Sequence, residues 1–581
     1  MNTSSAAATV EPSRPGAEAL SWPHAELRLG GRATIASRDA LVCIARGRPD
    51  FADTAAAGAG DAERWLDLFA RHGERATEKV RGRFGVAIVD TGRRTVFAAT
   101  DRFATEPWCH AIRDGRLLLS DRADLLGDGA RISPEAIYSY LFHHVIPAPL
   151  TIFDDVARLE GGHRLSWADS ERTVAAWWRP AFHEPAHIDF AEAKARFLEL
   201  VRQAVARAAE HGRVGSFLSG GTDSSTVAGM LCKVAGAPAE TYSIGFDASG
   251  YDEMEYARIA SRHFGTHHHE YYVTADDLLE GIPVVAGHYD QPFGNSSAVP
   301  AWLCARLAAR DGIETLLAGD GGDELFGGNA RYAKQRVFGW YDHLPSPLRS
   351  HVLEPLLERP TLAGLPVLRK VARYVTQARI GLPDRIHQYN LLVRLGADQI
   401  FEADFLGAID ADAPHRAHRS VWSRIDAADD LNRMLAFDMK FTLADNDLPK
   451  ILGTTELAGL AVEFPLLDDD LLDFSLTLPR AYKLKGTKLR WFFKEALRDF
   501  LPDEIITKKK HGFGLPFGVW ACEHAGLRSL AGDTLARLKL RGIVRPAFVD
   551  RLLSELLPAH PGYYGELVWI LVMLELWLDR R

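Results

Sequence analysis

A loop rich in glycine and serine, residues 219–225, most constrains how this chain can fold. It joins a strand-like apolar run, 213–218, to a helix-like run, 226–231. Glycines let the backbone pass close to a ligand, and the amides at a helix N-terminus attract anions. The loop therefore predicts a pyrophosphate-binding turn in an α/β sheet, although an ordinary strand-to-helix turn can have a similar composition.

The loop differs from two better-known nucleotide-binding motifs. It has neither the Gly-Lys-Ser/Thr ending of a Walker loop nor the Gly-x-Gly-x-x-Gly spacing of a dinucleotide fold. We therefore expect backbone amides, hydroxyls and a metal ion on Asp223 to hold the phosphates.

The length and composition limit the class of protein. A chain of 581 residues is too long for one core and predicts two or three domains. A net charge of -9 argues against a nucleic-acid partner. The five cysteines lack metal-ligand spacing, which is typical of reduced thiols in the cytoplasm. The chain shows no signal-peptide pattern and no membrane span, and nothing in it predicts an oligomeric state.

The pattern of the chain changes twice along its length. Residues 1–20 are rich in Ala, Ser, Pro and Glu and predict a disordered tail. Within 21–185, short apolar runs such as 84–90, 95–100 and 116–120 predict antiparallel strands of an α+β domain. Over 190–581, strands alternate with long helices and give way to mainly helical sequence, which predicts a parallel sheet covered on both faces.

A second cluster of glycines and acids, 318–328, follows another predicted strand. It places Asp320, Asp323 and Glu324 among five glycines. A magnesium-pyrophosphate site requires carboxylates beside a backbone that a ligand can approach closely. Because ligands of open α/β sheets bind at the carboxyl ends of strands, both loops should line one crevice.

The two loops, with the segment 289–297 between them, resemble the synthetase domain of the asparagine synthetase family. The resemblance implies a PP-loop ATP pyrophosphatase fold, similar to adenine nucleotide α-hydrolases, for 190–581. For 21–185 it implies a sandwich-like domain of the Ntn, class II glutaminase type (glutamine amidotransferase type 2). The implied enzyme is an ATP-dependent carbon-nitrogen ligase that forms an acyl-adenylate, releases pyrophosphate and lets an amine displace AMP. ATP and Mg²⁺ would be its cofactors, and a small-molecule or peptide carboxylate and an amine donor its partners.

The resemblance also implies roles for individual residues. The implied nucleotide-binding residues are Ser219, Gly220, Gly221, Asp223 and Ser224 in the pyrophosphate loop, and Ser243, Ile244 and Gly245 on the strand that touches adenine. Gly319 and Asp320 match the stretch beside the acyl-adenylate, and Asp223 and Asp323 match the magnesium ligands. Lys510 matches a lysine that contacts the α-phosphate, where a fixed cation stabilises developing charge, and Lys450 matches a second basic position near the phosphates.

The chain departs from the family in two places. Asn2 stands where glutamine-dependent members have their cysteine nucleophile, and the family's Arg-Gly-Pro-Asp and Asn-Gly-Glu motifs are not found, so we expect a degenerate domain without glutamine hydrolysis. In this the chain resembles β-lactam synthetases and lasso-peptide cyclases.

In the synthetase domain, Leu452, Gly453, Glu463 and Gln291 stand where the family has residues of different charge, which puts aspartate in doubt as the substrate. Two alternatives stay open. One is an asparagine synthetase that uses ammonia or glutamine, and the other is a non-catalytic nucleotide-binding scaffold.

Overall fold

The computed structural model describes residues 8–10, 18–51, 60–185, 188–210, 212–248, 250–342, 345, 374–388, 390–508 and 514–581. The N-terminal part contains mostly strands. They are β1 (Ala8–Val10), β2 (Glu18–Trp22), β3 (Ala25–Leu29), β4 (Ala33–Arg38), β5 (Leu41–Phe51), β6 (Val80–Asp90), β7 (Thr95–Thr100), β8 (Cys109–Arg113), β9 (Arg116–Ser120), β10 (Ala157–Arg158), β11 (His163–Ala168) and β12 (Glu171–Ala176). The helices of this part are α1 (Asp61–His72) and α2 (Pro134–His143).

These strands form two sheets, in the orders β1-β4-β5-β6-β7-β11-β12 and β10-β8-β9-β3-β2. Neighbouring strands are antiparallel except for β3 and β9, which run parallel. Apolar side chains of both sheets meet in one core, including Leu27 of β3, Ala87 of β6 and Leu119 of β9. The predicted antiparallel, sandwich-like arrangement is therefore confirmed, with one parallel pair that the sequence pattern did not predict.

The predicted disordered tail differs from the structure at two places. Residues Ala8–Val10 pair with β4, and β2 already begins at Glu18. Backbone pairing with a sheet edge thus overrides the composition at 8–10 and 18–20. The rest of the range 1–20 lies outside the described residues.

The C-terminal part combines a parallel sheet with many helices. Its strands are β13 (Val214–Phe217), β14 (Glu240–Phe246), β15 (His267–Val273), β16 (Thr315–Leu317), β17 (Ala461–Glu463), β18 (Leu484–Lys485) and β19 (Lys488–Leu489). The helices up to the second glycine loop and just beyond it are α3 (Phe190–Ala208), α4 (Thr222–Ala235), α5 (Met254–Phe264), α6 (Ala275–Ala286), α7 (Ala298–Arg310), α8 (Gly322–Phe326) and α9 (Ala330–Asp342).

Further helices in the described residues include α10 (Leu391–Leu395), α11 (Ala397–Ile400), α12 (Ala403–Gly407), α13 (Ala413–Arg424), α14 (Asp430–Asp438), α15 (Leu448–Leu457), α16 (Asp469–Thr477), α17 (Arg480–Lys483), α18 (Trp491–Ala496), α19 (Asp503–Thr507), α20 (Phe517–Glu523), α21 (Ala525–Leu538), α22 (Pro546–Arg551), α23 (Leu557–Ala559) and α24 (Pro561–Leu578). A π-helical stretch, Met439–Asp447, joins α14 to α15.

The parallel sheet has the strand order β15-β14-β13-β16-β17. The order reverses between β13 and β16, so the two predicted loops follow neighbouring strands at the topological switch point. Helices α3, α4 and α5 share a core on one face. On the other face, Cys304 and Ala305 of α7 pack against Tyr242 and Leu316 of the sheet. The predicted sheet covered on both faces is confirmed.

The apolar run 567–574, predicted as a buried helix, lies in α24, and every residue of the run is buried there. Within the described ranges, no helix combines the length and the apolar character that crossing a membrane requires.

Candidate functional site

The first loop turns tightly between β13 and α4. Gly220 has a φ of +68°, and a Cβ on it would lie 2.6 Å from the Cβ of Tyr256, so only glycine fits without strain. The Ser219 amide donates to Ser224 Oγ at 3.1 Å, and the two serine hydroxyls lie 2.9 Å apart. Gly221 is the N-cap residue of α4, and as a glycine it has no side chain to accept a hydrogen bond from the first helical turn. The cap residue therefore offers no acceptor to the first amides of α4, and amides at a helix N-terminus attract anions.

The second loop lies directly against the first. A Cβ on Gly319 would be 2.7 Å from the Ser224 amide nitrogen and 2.9 Å from the carbonyl carbon of Asp223. Gly321 has a φ of +100°, which turns the chain into α8. The predicted close approach of the two loops at one edge of the sheet is present in the structure.

Asp223 and Asp323 come together around one cation, the side chain of Arg490. Its Nη1 lies 2.7 Å from Asp223 Oδ2 and 3.0 Å from Asp323 Oδ1. Its Nη2 donates to Asp223 Oδ1. Carboxylate oxygens are also the donors that Mg²⁺ prefers in proteins.

Sequence reasoning missed Arg490. It stands just before α18, with Lys488 and Lys494 nearby in the sequence, and it is only 5% exposed. The signal that could have found it is physical: two carboxylates brought together at a partly buried edge require a positive partner.

The predicted adenine-contacting strand, β14, lies beside β13 in the sheet. The Ser243 hydroxyl donates to the Leu218 carbonyl and so ties β14 to the first loop. A Cβ on Gly245 would lie 2.7 Å from Tyr272 Cε1 and 2.9 Å from Asp252 Oδ1. Ile244, between them, is partly buried. In this segment the serine side chain therefore supports the first loop, and the glycine permits close packing.

The acyl side of the predicted site contains a charged pair and its neighbours. Lys450 Nζ lies 3.2 Å from Asp447 Oδ1, where the π-helical stretch meets α15. Burial raises the pKa of Asp320 to about 6, against the opposing effect of the Lys450 charge. The pKa of Lys450 is raised, because the charges of Asp447 and Asp320 outweigh the burial that lowers it. At neutral pH, therefore, Asp320 is a carboxylate and Lys450 is a cation beside it.

Glu324 of α8 behaves differently from Asp320. It is 5% exposed, and its pKa is raised to about 8 by burial first and then by the charges of Asp447 and Asp438. Tyr332 donates a hydrogen bond to Asp438, and Arg331 Nη1 lies 3.1 Å from the same carboxylate. Glu324 is thus mostly protonated at pH 7.

This protonation predicts a pH-dependent stability. The folded carboxyl keeps its proton up to a pH of about 8, whereas the unfolded one loses it near its ordinary pKa of 4.5. The folded state binds more protons in that window, so its stability falls as the pH rises, by at most about 1.4 kcal/mol per pH unit from this group.

Urea denaturation at pH 6 and pH 8 should show a smaller loss in the free energy of unfolding for Glu324→Gln than for the wild type. The exposed Glu504→Gln is the control, and equal losses in all three proteins would contradict the assignment.

The predicted lysine run is only partly described. Lys508 Nζ lies 3.1 Å from Glu253 Oε2 and 4.2 Å from the centre of the Tyr256 ring, close under the first loop. Lys510, the residue for which a phosphate contact is expected, lies outside the described residues.

The N-terminal part faces the C-terminal part across a cavity of about 860 Å³. Arg46 Nη2 lies 3.3 Å from both Glu106 Oε2 and Asp121 Oδ2, and Arg83 Nη2 lies 2.9 Å from Glu106 Oε1. Paired guanidinium and carboxylate groups therefore line the side of this cavity that belongs to the N-terminal part.

Two of the residues that depart from the family hold the two parts together. Glu463 of β17 lies 3.1 Å from Arg48 Nη1 and 3.5 Å from Arg83 Nη1, and its carbonyl accepts a hydrogen bond from the Ala318 amide at the second loop. Gln291 is 6% exposed, and its Oε1 accepts a hydrogen bond from the Ile152 amide. Both side chains make contacts between the two parts of the chain.

Comparison with known proteins agrees with this architecture. The family model for asparagine synthase matches residues 196–579, and that for a glutamine amidotransferase domain matches residues 50–178. The first match covers more than half of the chain, and the chain therefore belongs to the asparagine synthase family.

Several relatives support the family assignment. A protein of Mycobacterium bovis, named as a glutamine-hydrolyzing asparagine synthetase, is 27% identical over 89% of this chain and 79% of its own length. Asparagine synthetase 1 of Bacillus subtilis is 24% identical over 79% of this chain and 72% of its own. Among solved structures, an NMN synthetase of Francisella tularensis matches 36% of this chain and 97% of its own at 14% identity, with a TM-score of 0.19. That TM-score is too low to support a common fold.

Proposed function

We propose that this member of the asparagine synthase family, a family of ATP-dependent ligases, forms an amide by way of an acyl-adenylate and does so without hydrolysing glutamine. The observation that carries the proposal is the meeting of Asp223 and Asp323 at one cationic group, beside uncapped helix amides at the carboxyl edge of the sheet. Amides and a metal-binding pair of acids in one place suit a polyphosphate better than any other common ligand.

The chemistry assigns a task to each group. A substrate carboxylate oxygen attacks the α-phosphorus of ATP, the bond to the β-phosphate oxygen breaks, and pyrophosphate leaves. An amine then attacks the acyl carbon, and AMP leaves with the bonding electrons while the amine loses a proton.

Asp223 and Asp323 would hold Mg²⁺, which neutralises phosphate charge when bound. Lys450 and Lys510 would provide fixed positive charge near the reacting phosphate, and Asp320 would lie beside the acyl group.

The proposed lack of glutamine hydrolysis is supported by the thiols. All five cysteines lie in the described part of the chain, and each is buried or half-buried. Burial raises the pKa of Cys43, and it raises that of Cys109 to about 11. A glutaminase nucleophile must be an accessible thiolate, which neither cysteine of the N-terminal part can supply.

The ion pairs of the cavity support the same conclusion. Arg46 pairs with both Glu106 and Asp121, so an amino-acid substrate that used these groups would have to break partly buried pairs. We propose that the N-terminal part is a retained scaffold that supports β17 and the second loop through Arg83 and Glu463.

One observation favours a second candidate, an asparagine synthetase. The relatives named above are asparagine synthetases of the glutamine-hydrolyzing type. This candidate requires that aspartate be the activated acid and that ammonia or glutamine supply the nitrogen.

An ATP–pyrophosphate exchange screen against carboxylic acids tests the proposal, because exchange reports the activated acid independently of the amine. We expect exchange with at least one acid other than aspartate and no glutamate released from glutamine in the same preparation. Exchange with aspartate alone would favour the second candidate. Glutamate release that depends on the protein would contradict the scaffold role, and a lack of exchange with every acid would favour a non-catalytic nucleotide-binding protein.

A further inference from the structure

Arg490 donates hydrogen bonds to both carboxylates that are proposed to bind metal. Nη1 bridges Asp223 and Asp323 and also donates to Thr222 Oγ1 at 3.1 Å. Nη2 donates to the second oxygen of Asp223. A divalent cation that takes the place between the two carboxylates must displace the guanidinium.

The backbone around Arg490 holds the side chain in this place. Arg490 has a φ of +53°, which is uncommon for a residue with a side chain, and its amide donates to the Gly327 carbonyl at 3.2 Å. Its guanidinium carbon lies 4.1 Å from the centre of the Phe493 ring. The strained backbone and the aromatic contact aim a buried guanidinium at the carboxylates.

Arg490 faces two carboxylates that remain partly open to solvent. One guanidinium carries a single positive charge against two carboxylates, whose side chains are 21% and 20% exposed. Arg490 Nε is buried and has no acceptor among the described residues. A guanidinium with an unsatisfied buried donor can change its partners when a divalent cation and phosphate acceptors arrive together.

We propose that Arg490 is a resident counter-cation that keeps the affinity of Asp223 and Asp323 for free divalent metal low. The metal then enters together with the triphosphate, because phosphate oxygens offer the guanidinium a bidentate alternative to the two carboxylates. This inference rests on the proposed nucleotide site. It adds a positioning role for a residue that no sequence motif indicated.

Binding of Mn²⁺ to the purified full chain without nucleotide tests the inference, with calorimetry or electron paramagnetic resonance as the readout. We expect Arg490→Met to bind Mn²⁺ at least about 10-fold more tightly than the wild type, which corresponds to about 1.4 kcal/mol. Adding Asp323→Asn to Arg490→Met should remove the gain. Arg498→Met, which changes an exposed arginine paired with Glu495 at 2.7 Å, should bind Mn²⁺ as the wild type does.

Two further measurements keep the test decisive if Arg490→Met does not fold. Arg490→Lys, which keeps the charge but loses the forked donors, should show a smaller gain in Mn²⁺ affinity. In the wild type, a non-hydrolysable ATP analogue should raise Mn²⁺ affinity by at least about 10-fold, and this coupling should shrink in the variant.

Mn²⁺ affinity that is unchanged or weaker in both Arg490 variants would overturn the inference. So would tight Mn²⁺ binding by the wild type without nucleotide. These outcomes do not depend on turnover, so they are distinguishable from a failure of ATP–pyrophosphate exchange.

Discussion

Asp323→Asn should slow ATP–pyrophosphate exchange by about 100- to 1,000-fold, the usual cost of removing one group that stabilises transition-state charge. The change keeps the shape of the side chain and removes the negative charge that a metal ion requires. Asp223 remains paired with Arg490, so the fold should persist, and circular dichroism and thermal unfolding should stay close to the wild type. Exchange with the acid identified in the screen is the measurement.

Asp499→Asn is the matched control for this prediction. Asp499 is an exposed acid whose carboxylate lies 2.9 Å from Lys194, so the same chemical change there should leave exchange unaltered. Near wild-type exchange in Asp323→Asn would refute the metal assignment, and equal slowing in both variants would point to a general loss of fold.

Gly319→Ala should weaken ATP binding and slow exchange by about 100-fold, because a shift of about 1 Å in a reacting group can cost that much. The added Cβ would lie 2.7 Å from the Ser224 amide nitrogen and 2.9 Å from the Asp223 carbonyl carbon, so the two loops must separate. Both neighbours are backbone atoms, which cannot turn aside as a flexible side chain can. Calorimetric titration with an ATP analogue measures the loss of binding.

Gly532→Ala is the control for Gly319→Ala. Gly532 lies in α21, and a Cβ on it would meet no atom within 4 Å, so the change should be neutral or slightly stabilising. Thermal unfolding should show Gly319→Ala destabilised by about 1–3 kcal/mol, the usual cost of overpacking. Unchanged ATP affinity in Gly319→Ala would mean that the close contact of the two loops is not needed for binding.

Much of the fold could be predicted from local patterns in the sequence. The runs 84–90 and 95–100 lie in the strands β6 and β7, and the alternation after residue 190 gives a parallel sheet covered by helices. These signals are readable because side-chain period and turn composition depend on the nearest few residues. The parallel pairing of β3 with β9 was not predicted, because pairing between distant strands leaves no local signal.

The candidate site was predictable to a different extent at each position. Asp223, Gly319 and Asp323 lie together because both loops follow neighbouring parallel strands, a consequence of topology that the two glycine clusters indicate. Glu463 and Gln291 differ from the family pattern, and substrate choice was the expected reason. The structure places their side chains in contacts between the two parts, which only the packing of those parts reveals. The roles of Lys450 and Lys510 stay predictions.

The sequence by itself determined that a turn within residues 219–225 leads from a strand into a helix, and that a second acidic loop follows another strand. The structure starts that helix at Thr222, inside the predicted loop. Short-range sterics and hydrogen bonding decide such features, since glycine, serine and aspartate act on their own neighbours. Only the tertiary structure decided which cation balances the two acids. Arg490 is 267 residues from Asp223 and 167 from Asp323, and it reaches both because α18 packs beside the two loops. The pairing of buried charges depends on distances in space, which a local pattern does not contain.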